Sequence, residues 1–403
     1  MDRRIPGMAL AVTALVAVVG AAGPSPQKTP TPSVTASPQG SAVTPRATPA
    51  PAASPRKSST PTPTPAQGDG TLQILTYRGY AEYGGISPRV NWVGDFERET
   101  GCRIARLDTV QTAAEMEEAL RKRPYDVLSA GPVLAATLIQ DKQVQAVDPA
   151  KVAGYDELSK RFRDMTTVSG TVYGVPYLWG FHEFLYDSKR VKGGDLRKVF
   201  DSDHVSLKDG PLTIADAALT DDTVKDPFEL TQSQLDRAVE LLGRHKDRTY
   251  WVNPLDLVKG FATGSLDYAQ ATPYFRLLLQ RAGKPVEAVE AKKTTGWLDS
   301  WMLGANVPDT GCAYRWLSWM AEPGVQAEAA AWVGLAPANP KSCRYKDGKV
   351  QVAKEMCEAY GADKPGKLSR VAFAVRPPGG CRPPEGECTD YLTWGKQWDS
   401  LKN

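Results

Sequence analysis

Between Thr71 and Ser129 the sequence alternates between strand and helix patterns, and this alternation restricts the fold more than any other feature. Thr71–Tyr77 (TLQILTY) is a short apolar strand. Ser87-Pro88 offers an N-cap with proline at the first helical position, and that helix is expected to run to Gly101 with Val93 and Phe96 on one face. Cys102–Leu107 reads as a second strand. Thr112-x-x-Glu115 is a capping box opening a helix with Met116, Ala119 and Leu120 at i, i+3, i+4. Pro124 stops it, and Tyr125–Ser129 is a third strand. This β-α-β-α-β order specifies a parallel, doubly wound sheet. Ligands in such sheets bind beyond the carboxyl ends of the strands, here Tyr77–Tyr83, Thr109–Thr112 and Ser129–Pro132.

After Tyr173 the pattern changes. Gly174–Phe184 (GVPYLWGFHEF) is apolar and aromatic, suited to a strand crossing out of the first lobe. A second α/β region follows, with a capping box at Thr231-x-x-Gln234 and a stripe of Leu235, Ala238, Val239 and Leu242. Strand character returns over Val286–Trp301, where the chain is expected to cross back. Helices then follow from Cys312, broken at Pro323-Gly324, and Tyr391–Leu401 is a last short helix.

The residues before this body are of another kind. Pro24–Pro65 holds twelve prolines and no aromatic residue, Leu or Ile. Such a stretch cannot bury enough apolar area to offset its ordering entropy, so 24–70 is a linker. Residues 1–23 read as an export signal: Asp2-Arg3-Arg4, then the uncharged run Ile5–Gly23 ending in small residues. Two readings stay open, cleavage and an uncleaved anchor, since the run is about the ~17–20 residues needed to span a bilayer. The first cysteine is Cys102, so no lipobox follows the run. An anchored chain would hold its body up to about 140 Å away, at ~3 Å per linker residue. Six Lys/Arg and two Asp/Glu fall in 1–69, leaving 43 against 44 in the body. A nearly neutral body argues against nucleic acid as a partner.

Six cysteines in an exported chain read as three disulfides, with fifteen pairings possible. Cys381–Cys388 is favoured because it closes a short Pro/Gly loop; Cys343–Cys357 and Cys102–Cys312 are the accompanying guess. Zinc is the alternative, but the chain has three His and no C-x-x-C. Gly361–Leu368 (GADKPGKL) falls one residue short of a P-loop, with Leu368 where a hydroxyl should hold magnesium, and reads as a polar loop. His182-Glu183 is an acid/base pair on paper and a half-buried pair of the crossing segment on the plainer reading. No nucleophile has a base beside it in the sequence, so no enzyme and no cofactor are expected.

Six stretches, in order, resemble the periplasmic spermidine/putrescine-binding proteins of ABC importers: LTYRGYAEY (Leu75–Tyr83) with DFERETGCRI (Asp95–Ile104), YDVLSAG (Tyr125–Gly131), YGVPYLWG (Tyr173–Gly180), TIADAALTD (Thr213–Asp221), GWLDSWML (Gly296–Leu303) and GLAPANP (Gly334–Pro340). The cysteine-bearing tail resembles a subgroup from high-GC Gram-positive bacteria. The resemblance implies an α/β, two-lobed type II periplasmic-binding-protein-like fold with doubly wound sheets and a ligand cleft between the lobes. Lobe one would be 71–176 with 294–403, and lobe two 177–293. It also implies a monomer that binds a polyamine-like cation and delivers it to ABC permease and ATPase subunits.

The residues suit such a ligand, whose methylenes need aromatic walls and whose ammonium ends need carboxylates and ring faces. Tyr80 and Tyr83 match the family's aromatic wall, and could equally pack a loop. Trp297 and Asp299 match its W-x-D element, two residues apart on one strand face; the competing readings are a core ring and a turn cap. Asp216 matches an acidic contact of lobe two, or is a helix N-cap. Trp179 matches the crossing motif and is read first as packing the hinge. The sequence departs from the family at four places. A second lobe-two carboxylate falls at Leu219, and a wall Trp near Thr272, where Tyr274 is the substitute. A loop Ser falls at Gly131, and a Tyr at Leu335. Those departures keep three alternatives in view: another small ligand such as an anion or metal chelate, an exported sensor or enzyme on the same scaffold, and a cell-wall structural protein.

Overall fold

A computed structural model describes residues 70–402 apart from 247, 308–310, 349 and 378–386. The export signal, most of the linker and Cys381 lie outside the described residues. Two sheets organise the body. The first is built from β1 (Thr71–Tyr77), β2 (Arg103–Val110), β3 (Val127–Ala130), β4 (Val144–Gln145), β5 (Val175–Phe181), a long strand Thr294–Gly304, and two short C-terminal strands, Ala336–Pro337 and Val371–Phe373. β1 lies between β2 and β3 and is parallel to both, as the opening alternation requires. Thr294–Gly304 pairs antiparallel with β3 and β5, so it closes the sheet from within.

The second sheet holds β6 (Glu183–Asp187), β7 (Val205–Lys208), β8 (Thr249–Trp251), β9 (Tyr268–Ala271) and β10 (Val286–Ala288) in the order β8-β7-β9-β6-β10. The sheets meet where β5 runs into β6 and where the chain returns after β10 to the long strand, hereafter β11. Each lobe has its own core. Phe96, Tyr177, Trp179, Trp301 and Trp316 are buried in the first, and Phe184, Phe200, Phe228, Leu235 and Trp394 in the second.

The local signals had mixed outcomes. Thr112 and Thr231 both make full capping boxes, opening Ala113–Lys122 and Gln232–Gly243. The first helix begins later than expected, at Trp92, because Asn91 accepts the Gly94 N–H and caps it. Ser87-Pro88 instead forms a turn closed by Val90 N–H to Ser87 C=O. Pro323 starts a new helix, Pro323–Val333, directly after Gly311–Ala321. The Gly361 loop caps the helix Lys354–Tyr360 at φ 65°, which glycine tolerates, and leads into the turn Pro365–Leu368.

The C-terminal tail, expected wholly on lobe one, divides. Val371–Phe373 joins β11 in the first sheet, but the last helix, Tyr391–Lys402, packs on lobe two. Trp394 and Trp398 are buried there, and Trp398 Nε1 donates to Asp209 at 3.0 Å. Apolar burial decides the placement, because lobe two has the open helix face that two indoles can cover. Cys102–Cys312 and Cys343–Cys357 are both disulfides, and Cys388 is disulfide-bonded. No helix among the described residues is long and apolar enough to cross a membrane.

Candidate functional site

The candidate residues come from β11, the loop after β1, the end of β7 and the short helix Thr213–Ala218, at the lobe boundary. β11 alternates, so Thr295, Trp297 and Asp299 share one face. A register shift after Asp299, where Ser300 falls opposite Pro176, ends that run. The Trp297 ring needs Gly180 beneath it, since a Cβ there would lie 2.7 Å from Cζ2. Gly131 lies close to Asp299, for a Cβ at 131 would stand 3.1 Å from its Oδ1. The departure at Gly131 thus falls directly beside this carboxylate.

Tyr80, past the end of β1, is buried and donates its hydroxyl to Asp299 Oδ2. Tyr177 fixes it by donating to the Tyr80 carbonyl at 3.0 Å and stacking edge-on. Trp297, two residues before Asp299 on the same face, also acts to lower the Asp299 pKa. Burial nonetheless dominates: it pushes the Asp299 carboxyl up to about 6, against the pull of Tyr80, Lys208 and Trp297. The same burial and the facing carboxylate raise the Tyr80 phenol well above its ordinary value.

Asp216 is completely buried, in the short helix Thr213–Ala218. It is not an N-cap. Its Oδ1 accepts from Thr295 Oγ1 at 2.7 Å; its Oδ2 accepts from Gln270 Nε2 at 2.7 Å and lies 3.1 Å from His182 Nδ1. These partners come from β11, β9 and the β5–β6 crossing. The carboxylate therefore ties lobe two to both crossing strands, and both its oxygens are engaged. His182 belongs to this knot and not to an acid/base pair, because Glu183 points to the opposite strand face and pairs with Arg276.

The sequence reading missed Lys208, at the end of β7. Its backbone N–H donates to Gln270 Oε1 at 2.8 Å, and its carbonyl accepts from Thr213 Oγ1 at 2.6 Å. Its Nζ stands 5.0 Å from the centroid of the Trp297 ring. Desolvation lowers the ammonium's pKa, while Asp299 and Asp216 act to raise it. The available signal was positional: Lys208 is at the carboxyl end of a lobe-two strand, just before Asp209-Gly210-Pro211.

Three other candidates lie apart from this group. Trp179 is fully buried in lobe one, its indole N–H donated to Pro337 C=O at 3.0 Å. Tyr274 opens the helix Pro273–Arg281 and lays its ring over Gly334, where a Cβ would lie 2.4 Å from Cγ. Tyr83 is 41% exposed and hydrogen-bonds Glu97. Two surface hollows also lie elsewhere. One is against Arg197, Arg237 and Arg244, the other against Tyr125 and Asn306. Arg237 and Arg244 are paired with Asp221 and Asp201.

The two-lobed α/β architecture is the type II periplasmic-binding-protein fold. Residues 91–356 match the model of the bacterial extracellular solute-binding proteins, and the chain belongs to that family. Solved structures of similar fold include the Tp0655 (TpPotD) lipoprotein of Treponema pallidum, with 13% identity over 82% of this chain and 99% of that one, at a TM-score of 0.64. The spermidine/putrescine substrate-binding protein PotD of Streptococcus pneumoniae matches at 15% identity over 83% and 100%, at 0.62. The A. tumefaciens B6 protein MotA, solved with glucopine, matches at 15% over 83% and 100%, at 0.60.

Proposed function

We propose that this protein is the solute-binding subunit of an ABC importer and that it takes an organic ammonium ligand, polyamines included, between its lobes. One observation carries the ligand class: an ammonium, the chain's own Lys208, already stands over the Trp297 ring within reach of the Asp299 and Asp216 fields. A ring face backed by a buried carboxylate is the environment a desolvated ammonium requires. Tyr80, Trp297 and Asp299 are the proposed contacts; Asp216 supports them through the hinge. Lobe one is read as about 71–176 with 294–377, and lobe two as about 177–293 with the C-terminal helix. Closure about the crossing strands would present one surface to a permease. Similar folds named for spermidine/putrescine and one solved with glucopine support the role and leave the ligand open.

The test is a thermal-shift titration of the full chain, disulfides intact, against amines, amino acids and phosphate. A ligand at 100 times its Kd adds about 2.7 kcal/mol, a rise of several degrees. An amine-bearing ligand should give that rise and lose it in Asp299→Asn. A rise with phosphate alone, unchanged in that variant, would contradict the reading.

A further inference from the structure

The charged groups of the cleft differ in what they lack. Asp216 has three partners, and Asp299 has Tyr80. The Lys208 ammonium, with three donors to place, has the Trp297 face and no hydrogen bond or ion pair among the described residues. Access differs in the same direction. Lys208 and Trp297 are partly accessible, whereas Tyr80, Asp216, Asp299 and His182 are covered. The residues that carry the ammonium and the ring are thus less covered than those that carry the carboxylates.

We propose, building on the ammonium reading above, that the ligand is an amino-carboxylate. Its ammonium takes the seat over Trp297 beside Asp299, and its carboxylate pairs with Lys208 as that side chain leaves the ring. The backbone of Lys208 is held on both sides by Gln270 and Thr213, and its four-carbon stem carries several rotatable bonds. Charge conservation selects this class. A zwitterion exchanges one ammonium for another over the ring and supplies an anion for the one displaced. A diamine displaces Lys208 and leaves like charges together in a poorly solvated space, where repulsion is strong.

His182 adds an independent observation. Lys208 N–H fixes the Gln270 amide, so Gln270 Nε2 faces Asp216 and His182. The other ring nitrogen, His182 Nε2, is buried and has no partner among the described residues, and the ring centroid is 5.2 Å from that of Trp297. A polar atom left open beside the Trp297 ring suits a polar group of the ligand.

The test is calorimetric titration of the full chain with length-matched series of α,ω-diamines, ω-amino acids and monocarboxylates of three to six carbons. The ω-amino acid of best length should bind at least about 10-fold more tightly than its matched diamine or monocarboxylate. Lys208→Met should weaken it by about 10-fold or more and move the preference to the diamine, while Lys208→Arg should keep the original order. Equal or tighter diamine binding by the unaltered chain, or an order unchanged in Lys208→Met, would overturn the amino-carboxylate assignment and leave the ammonium seat standing. Binding of monocarboxylates alone, indifferent to Asp299→Asn, would overturn the seat itself.

Discussion

At the residue scale the cleft is a balance between burial and pairing. Asp299 has its carboxyl raised from 3.8 to about 6, so the folded chain binds this proton more tightly than the unfolded chain does. Its ionisation therefore costs the fold about 3 kcal/mol, a cost absent below pH ~4 and complete above pH ~6. Unliganded Asp299→Asn should be more stable than the parent chain at pH 8 in denaturant titrations, and the gain should fade on acidification toward pH 4. Amine binding should weaken over the same interval, because protonated Asp299 no longer pairs with an ammonium. A gain that grew on acidification would contradict the burial account. Asp216 has hydrogen-bonding partners on both oxygens, so Asp216→Ala, which leaves those partners unpaired, should cost about 3 kcal/mol of unfolding free energy without changing which ligand class binds. That Trp297 and Asp299 share a strand face and that Tyr80 lies past a strand end were legible in the sequence, because alternation and strand ends are local properties; their choice as ligand contacts came from the family resemblance. Lys208 was not legible, because its position over Trp297 depends on packing one lobe against a strand that begins about ninety residues later.

At the element scale, the alternating first half was readable because each helix carries its own start signal. Both capping boxes formed where the sequence placed them. The misplaced start at Ser87 shows the limit: Asn91 was an equally good cap, and only the turn at Pro88 decides between them. The C-terminal helix was found as a helix but given to the wrong lobe, since amphipathic spacing says that a face is buried and not against what. Trp394 is fully buried with its N–H donated to Thr389 at 2.9 Å. Trp394→Ala should cost about 3–5 kcal/mol, and hydrogen exchange should show the loss in lobe-two amides such as those of Gln232–Gly243. Loosening confined to the first sheet would contradict the docking of this helix.

At the scale of the whole molecule, two cores are joined by crossing strands, and the groups that converge between them are drawn from both. Trp297, Asp299 and Tyr80 belong to the first sheet and its loops, and Lys208 to the second sheet. A ligand that engages all four must contact both lobes at once. The most direct measurement is hydrogen exchange of the full chain with and without a bound amine ligand. The account predicts simultaneous slowing past the end of β1 around Tyr80, along Thr295–Ser300 and around Lys208. Slowing confined to one lobe, or centred on the hollow beside Arg197 and Arg237, would contradict it.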